Sequence, residues 1–396
     1  MKRKLKFAML AALVATVALP LAAQTGKVYR DGNYWVEEIT GTLSGARSLR
    51  VRTDAGSVNV QGGAQQGFTY KVRKRVRSDS EESARRELAG FRITAAIRSG
   101  AAVLEGGAER RNYRNFSVDF TVNTPRELES VKAETEGGSI AVRNIAGRVN
   151  AASGGGSVSL SDITGPVTAE TGGGSVEVTN GAGELNLHTG GGSIKINAAK
   201  GKVSAETGGG SISVGGSHEA VMVQTGGGSI DVQNCGGDVR ASTGGGSVEI
   251  GEVGGRADLQ SGGGSIRLAS AKGPVTASTG GGTIQLYKLM NGARAESGAG
   301  SITAEFLSVN TDSTLETSVG DVIVYIGPNA RVTVKASVEM ANGHKIRSDF
   351  SELKISSEGG EWGPRNYFAQ GSLNGGGPVL RVRTTSGNIE FRRASK

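Results

Sequence analysis

The sequence predicts an all-β fold: a single-chain parallel β-helix, or solenoid, of about ten 18-residue Gly-rich rungs, preceded by a small mixed α+β domain and followed by a β-rich cap. Three observations carry that class. Glycine-rich turns recur at a fixed interval, apolar and polar residues alternate between them, and no Phe, Tyr or Trp occurs between Phe120 and Tyr287. A period near 20 residues marks a stack of units, each burying its apolar side only against its neighbours.

The elements follow in chain order. Lys2, Arg3, Lys4 and Lys6 precede an apolar run from Phe7 to Leu19, and small residues stand at Ala22 and Ala23. That arrangement predicts a secretory signal peptide over residues 1–23, cleaved after Ala23, although Leu21 stands where a small residue is usual. The expected address is outside the cytoplasm: periplasmic, cell-surface or secreted. No Cys follows the apolar run and no later stretch reaches the length of a membrane span, so neither a lipid anchor nor a transmembrane segment is expected in the mature chain.

Residues 24–120 predict a basic N-terminal strand and helix domain. Strand-like runs cover Leu49 to Thr53, Ser57 to Gln61 and Phe68 to Arg77. A helix is expected near Ser80 to Ala89, with Ser78 and Glu81 spaced as a capping box.

The solenoid is expected over residues 121–320. Ser139, Ser157, Ser175, Ser193, Ser211, Ser229, Ser247, Ser265, Thr283 and Ser301 follow one another at that single period without a slip. Counting each as place one, places two and four are apolar (Ile140 and Val142, Ile194 and Ile196, Ile230 and Val232), and places eleven and thirteen repeat the alternation after a turn. That is a strand pattern with these four places inward. Place thirteen is mostly Ala and predicts a thin core. Place fifteen is Thr or Ser, which would stack as a hydroxyl ladder between rungs. Place nine is usually Gly, as at Gly147, Gly165 and Gly201, and is expected at positive φ; Glu219, the exception, is expected to distort its corner. Ten rungs at strand spacing make a rod of about 48 Å.

Residues 321–396 predict an extension and cap. The period slips at Gly320 to Val322, and aromatics return at Phe350, Trp362, Tyr367 and Phe368. Irregular terminal units of this kind protect an open sheet edge.

The formal charge of +8 is unevenly spread. The segment 1–23 carries four cations and no anion. Residues 24–120 have 17 basic and 11 acidic side chains, residues 121–320 have 13 and 19, and residues 321–396 have 11 and 7. An acidic rod between two basic ends implies no nucleic-acid partner; the expected partner is an anionic envelope component or another protein. With a single Cys, Cys235, no internal disulfide can form.

The order of these segments resembles the bacterial putative-adhesin domain family. The likeness rests on the basic strand, helix and strand before the rod, on FSVDFTVNTPRELESVKAETEGGSIAV (Phe116 to Val142) and on RVRTTSGNIEFRR (Arg381 to Arg393). It implies a non-catalytic, extracytoplasmic protein with a structural, adhesive or envelope-stress role, and supplies no catalytic residues.

Candidate sites are few. In Phe68 to Arg77 the alternation puts Lys71, Arg73, Arg75 and Arg77 on one strand face. Four like charges need partners: this face is either a charged edge strand that discourages aggregation or a binding site for an anionic envelope component such as lipopolysaccharide, phospholipid headgroups or acidic glycan. The alternative function, a carbohydrate-active β-helix enzyme, would use Glu170, His188 and Glu206, which share place fourteen on consecutive rungs; their other reading is a solvated polar ladder. The Gly-Gly-Gly-Ser turns lack the Lys-Ser/Thr of a phosphate loop and the Asp of a calcium roll. Neither a metal nor a cofactor is expected, and Cys235, at inward place seven, is expected to be a buried, inert thiol. The segment EWGPRNYF (Glu361 to Phe368) reads either as an aromatic glycan platform or as a plug over the last rung.

Overall fold

The computed structural model describes residues 25–108, 116–341, 343–359 and 365–394; the expected signal peptide over residues 1–23 and the Glu361–Pro364 part of the aromatic segment lie outside them. Each repeat unit folds into one coil with two strands. The strand at places two to seven, as in Ile140–Ile145, joins one sheet, and the strand ending at place fifteen, as in Arg148–Ser153, joins the other. Among the described residues two facing sheets of 18 strands each result. Equivalent places stack directly, as in Ile140↔Val158 and Ala151↔Ala169.

Places two, four, eleven and thirteen are buried throughout the rod, and so are places seven and fifteen. Ile140, Val142, Ile145, Val149 and Ala151 are each at most 2 % exposed. The side-chain period of two sets the inward places, and the small residues at place thirteen keep the sheets close. Cys235 is buried as expected, its Sγ 3.1 Å from the Glu219 carbonyl.

Three local expectations change. The positive φ values within the repeats fall at place six, at Asn144, Asp162, Asn180 and Lys288, and at no place-nine glycine. Place nine is Gly because successive coils nearly touch there: a Cβ on Gly165 would lie 2.4 Å from the Gly147 carbonyl oxygen. The place-fifteen hydroxyls bond to turn backbone and not to one another. Thr171 Oγ1 donates to the Gly156 carbonyl of the preceding coil at 2.7 Å and accepts from the Gly174 N–H of its own. The strand before Glu219 is shortened to Ile212–Val214, but Ile194–Ile196, one coil earlier and followed by Gly201, is equally short. Glu219 therefore does not set the distortion.

The parallel ladder runs past both ends of the Gly-rich period. The N-terminal elements are β1 (Thr25–Asp31), β2 (Tyr34–Leu43), β3 (Ser48–Thr53), β4 (Ser57–Gly63), β5 (Phe68–Val76), α1 (Glu81–Ala89), β6 (Phe91–Arg98), β7 (Ala101–Ala108), β8 (Phe116–Pro125), β9 (Ser130–Thr135) and β10 (Ile140–Ile145). Strands β3 and β4 form a coil that lies between β7 and β8 on one side and β9 and β10 on the other. The C-terminal end repeats this device: Val379–Ser386 and Ile389–Arg393 insert between the coil of Ser313–Val319 and Val322–Ile326 and the outermost coil of Val332–Val338 and Ile346–Ser348. Both inserted coils come from nearer a chain terminus than the coil that covers them. Fifteen strands of each sheet are consecutive and parallel, a stack of about 67 Å.

The N-terminal end is closed by α1, which packs against β2, β5 and β6 and so touches both sheets. Its N-cap is Ser80, not Ser78: Ser80 Oγ accepts the Ser83 N–H at 3.2 Å, satisfying a first-turn amide. At the opposite end Phe350 is buried beneath the Arg393 guanidinium, 4.7 Å from its ring centre.

Candidate functional site

The four cations picked out in the sequence lie on and just beyond β5. This strand is not an edge. It pairs antiparallel with β2 on one side and with β8 on the other, while β1 is the outermost strand. The edge-guarding reading therefore fails on topology.

Strands β1, β2 and β8 supply carboxylates to three of the four. Lys71 Nζ lies 3.0 Å from Glu38, Arg75 Nη2 lies 2.9 Å from Asp119, and Arg73 pairs with Asp31. The Lys71 ammonium and the Tyr29 hydroxyl both donate to Glu38, and the Lys71 bond is the main cause that holds this carboxyl below its ordinary value. Arg77 lies beyond the end of the strand, exposed and without an ion-pair partner among the described residues.

Alternation concealed a fifth cation. Lys74 faces inward with Phe68, Tyr70, Val72 and Val76 and is 4 % exposed. Its Nζ donates to Glu37 at 2.9 Å and to the Leu88 carbonyl of α1 at 3.0 Å. A buried ammonium needs both a countercharge and hydrogen bonds, and this one ties the helix to the sheet. A Lys on the apolar side of an alternating strand was the available sequence signal.

The place-fourteen ladder assembles in register, Glu170 beside His188 and His188 beside Glu206. A shallow cavity of 550 Å³ runs along it from Arg52 and Glu134 to His188. His188 Nδ1 is 3.9 Å from Glu206, with both side chains more than half exposed. That is a loose, solvated contact of small energy. Among the described residues no group of three His, Cys, Asp or Glu side chains is placed to hold a metal. His344 sits far from this ladder in sequence, its Nε2 3.3 Å from Ser386 Oγ. Burial pushes the Cys235 thiol up, away from the thiolate. Among the described residues no helix is long and apolar enough to cross a membrane.

No family model and no curated protein matches the chain. Solved structures do. A "putative adhesin" from Bacteroides fragilis is 10 % identical over 91 % of this chain and 97 % of its own, with a TM-score of 0.23. A "putative adhesin" from Parabacteroides merdae is 14 % identical over 74 % and 95 %, with a TM-score of 0.27. A "putative lipid binding protein" from Parabacteroides distasonis is 13 % identical over 76 % and 97 %, with a TM-score of 0.23.

Proposed function

We propose that the protein is a non-catalytic, exported envelope rod with a structural or adhesive role, and that it engages anionic partners such as lipopolysaccharide, phospholipid headgroups or acidic glycan. One observation carries this reading. The two long sheets hold equivalent outward places in register over many coils, as in Glu177↔Lys195 on one face and His188↔Glu206 on the other, so each face repeats polar groups at strand spacing. A stiff, repetitive polar surface suits multivalent contact with an extended partner, where modest contacts add through effective concentration.

The test is a screen of the purified mature chain against acidic and neutral polysaccharides and native envelope. Binding without release of reducing ends supports the proposal. Release of reducing ends would replace it with the carbohydrate-active reading, and Glu170→Gln and Glu206→Gln would then be the variants to assay.

A further inference from the structure

The C-terminal end carries a second set of cations, arranged differently from those of β5. Arg294, Thr314, Arg381, Lys335, Gln370 and Lys354 stand opposite one another on six adjacent strands of one sheet. They form a single outward row across the strands, roughly 24 Å long at strand spacing. Beside it a cavity of 470 Å³ is lined by Lys335, Arg381, Arg383, Phe368, Gln370 and Glu316, among others.

Charge in this row is only partly balanced. Arg294 pairs with Glu296 and Arg381 meets Asp312 at 3.3 Å, while Arg383, in the next outward row, lies 3.7 Å from both Glu316 and Glu339. Lys335 and Lys354 are exposed and have no ion-pair partner among the described residues. Between the cations stand Thr314 and Gln370, which offer neutral hydrogen-bonding groups, and the half-buried ring of Phe368 flanks the row opposite Ser337.

We propose that this row binds a linear acidic polysaccharide, with sugar carboxylates on Lys335 and Lys354, sugar hydroxyls on Thr314 and Gln370, and a sugar face on Phe368. The proposal rests on the anionic-partner reading above and gives it a site and a ligand class. A strand step is close to the advance of an extended pyranose chain per sugar, so a polymer can meet successive strands. Neutral donors set among the cations fit sugars carrying both carboxylate and hydroxyl better than they fit isolated phosphates, and the ring adds an apolar contact that a headgroup phosphate does not use.

Calorimetric titration of the purified mature chain with polygalacturonate, uncharged dextran, and vesicles of phosphatidylglycerol and phosphatidylcholine tests this. Polygalacturonate should bind saturably and dextran should not. Binding should weaken as salt shortens the Debye length from about 10 Å at 0.1 M to 3 Å at 1 M. The double variant Lys335→Gln, Lys354→Gln should bind about tenfold more weakly, and Lys71→Gln, Arg77→Gln should bind as wild type. Unchanged affinity in the first variant, or a loss confined to the second, overturns the site. Binding to vesicles but not to polygalacturonate overturns the ligand class and leaves the anionic-partner reading standing; binding to neither overturns both. If the double variant melts below wild type, Gln370→Ala decides, since it changes no charge: it must weaken polygalacturonate binding, and unchanged affinity rejects the site.

Discussion

The cation-bearing strand β5 at one end of the rod and the cation row at the other use their charges differently. At the N-terminal end, β5 lies inside a four-stranded antiparallel extension of the sheet, and Lys71, Arg73 and Arg75 meet Glu38, Asp31 and Asp119 across strand pairs. At the C-terminal end, Lys335 and Lys354 stand in a row with no ion-pair partner among the described residues, while Arg381 and Arg383 make only exposed, looser pairs. Net charge counted along a chain therefore says little about availability. What matters is whether nearby strands bring carboxylates within reach, because an outward residue in a sheet meets the residues opposite it and their diagonal neighbours, as Lys71 meets Glu38 and Arg75 meets Asp119.

One continuous ladder joins the two ends, and the largest expected effect tests its continuity. Ile212→Asp would place a charge at a site that is 1 % exposed at mid-rod, costing on the order of 3–5 kcal/mol. Hydrogen exchange should show coils on both sides of Ile212 losing protection, with the loss fading toward each end, as nearest-neighbour coupling requires. Protection lost at one end alone would mean that the ends do not share a common rod.

The next effect belongs to the N-terminal end only. Lys74→Ala leaves Glu37 and the Leu88 carbonyl without their shared donor, and should cost about 3 kcal/mol. The loss should appear as detachment of α1, read by exchange at Ala84 and Leu88, with the C-terminal cap unaffected. A variant as stable as wild type would show that the helix is held by its apolar contacts alone.

The smallest effect is a matter of pH. Glu38 is held low first by its bond from Lys71, and Asp312 first by the Val379 N–H, with Arg381 contributing less. A depressed carboxyl pKa contributes stability that is present above the unfolded value, near 4, and lost as pH falls through the folded value. Both ends should therefore loosen slightly in acid. Carboxyl NMR titrations should show Lys71→Ala releasing Glu38 toward its ordinary value, and Arg381→Ala leaving most of the Asp312 depression in place. If the two variants behave alike, the contrast between side-chain and backbone control is wrong.

The solenoid, its period and its inward places were legible in the sequence because a strand's side-chain period of two and a strict, unbroken repeat leave one consistent stacking. Place-nine glycine was legible as a requirement and misread in cause: Gly165 is needed for coil-to-coil approach, which depends on a chain segment one full period away, while the positive φ sits at Asn144 and its equivalents. The cations of β5 were legible as an outward face, but their carboxylate partners were not, since Glu38 and Asp119 lie far from Lys71 and Arg75 along the chain and meet them only through sheet register. The repeat, the inward faces and the buried Cys235 follow from the order of residues along the chain. Tertiary structure alone decided that β5 is an inner strand, that both terminal coils are inserted beneath the ones that cover them, and that Arg294, Arg381, Lys335 and Lys354 share a row. The physical reason is that periodicity encodes pairing between equivalent places of successive units, whereas the ends break the period, and there the order of strands is settled only by which segments fold back into the sheet.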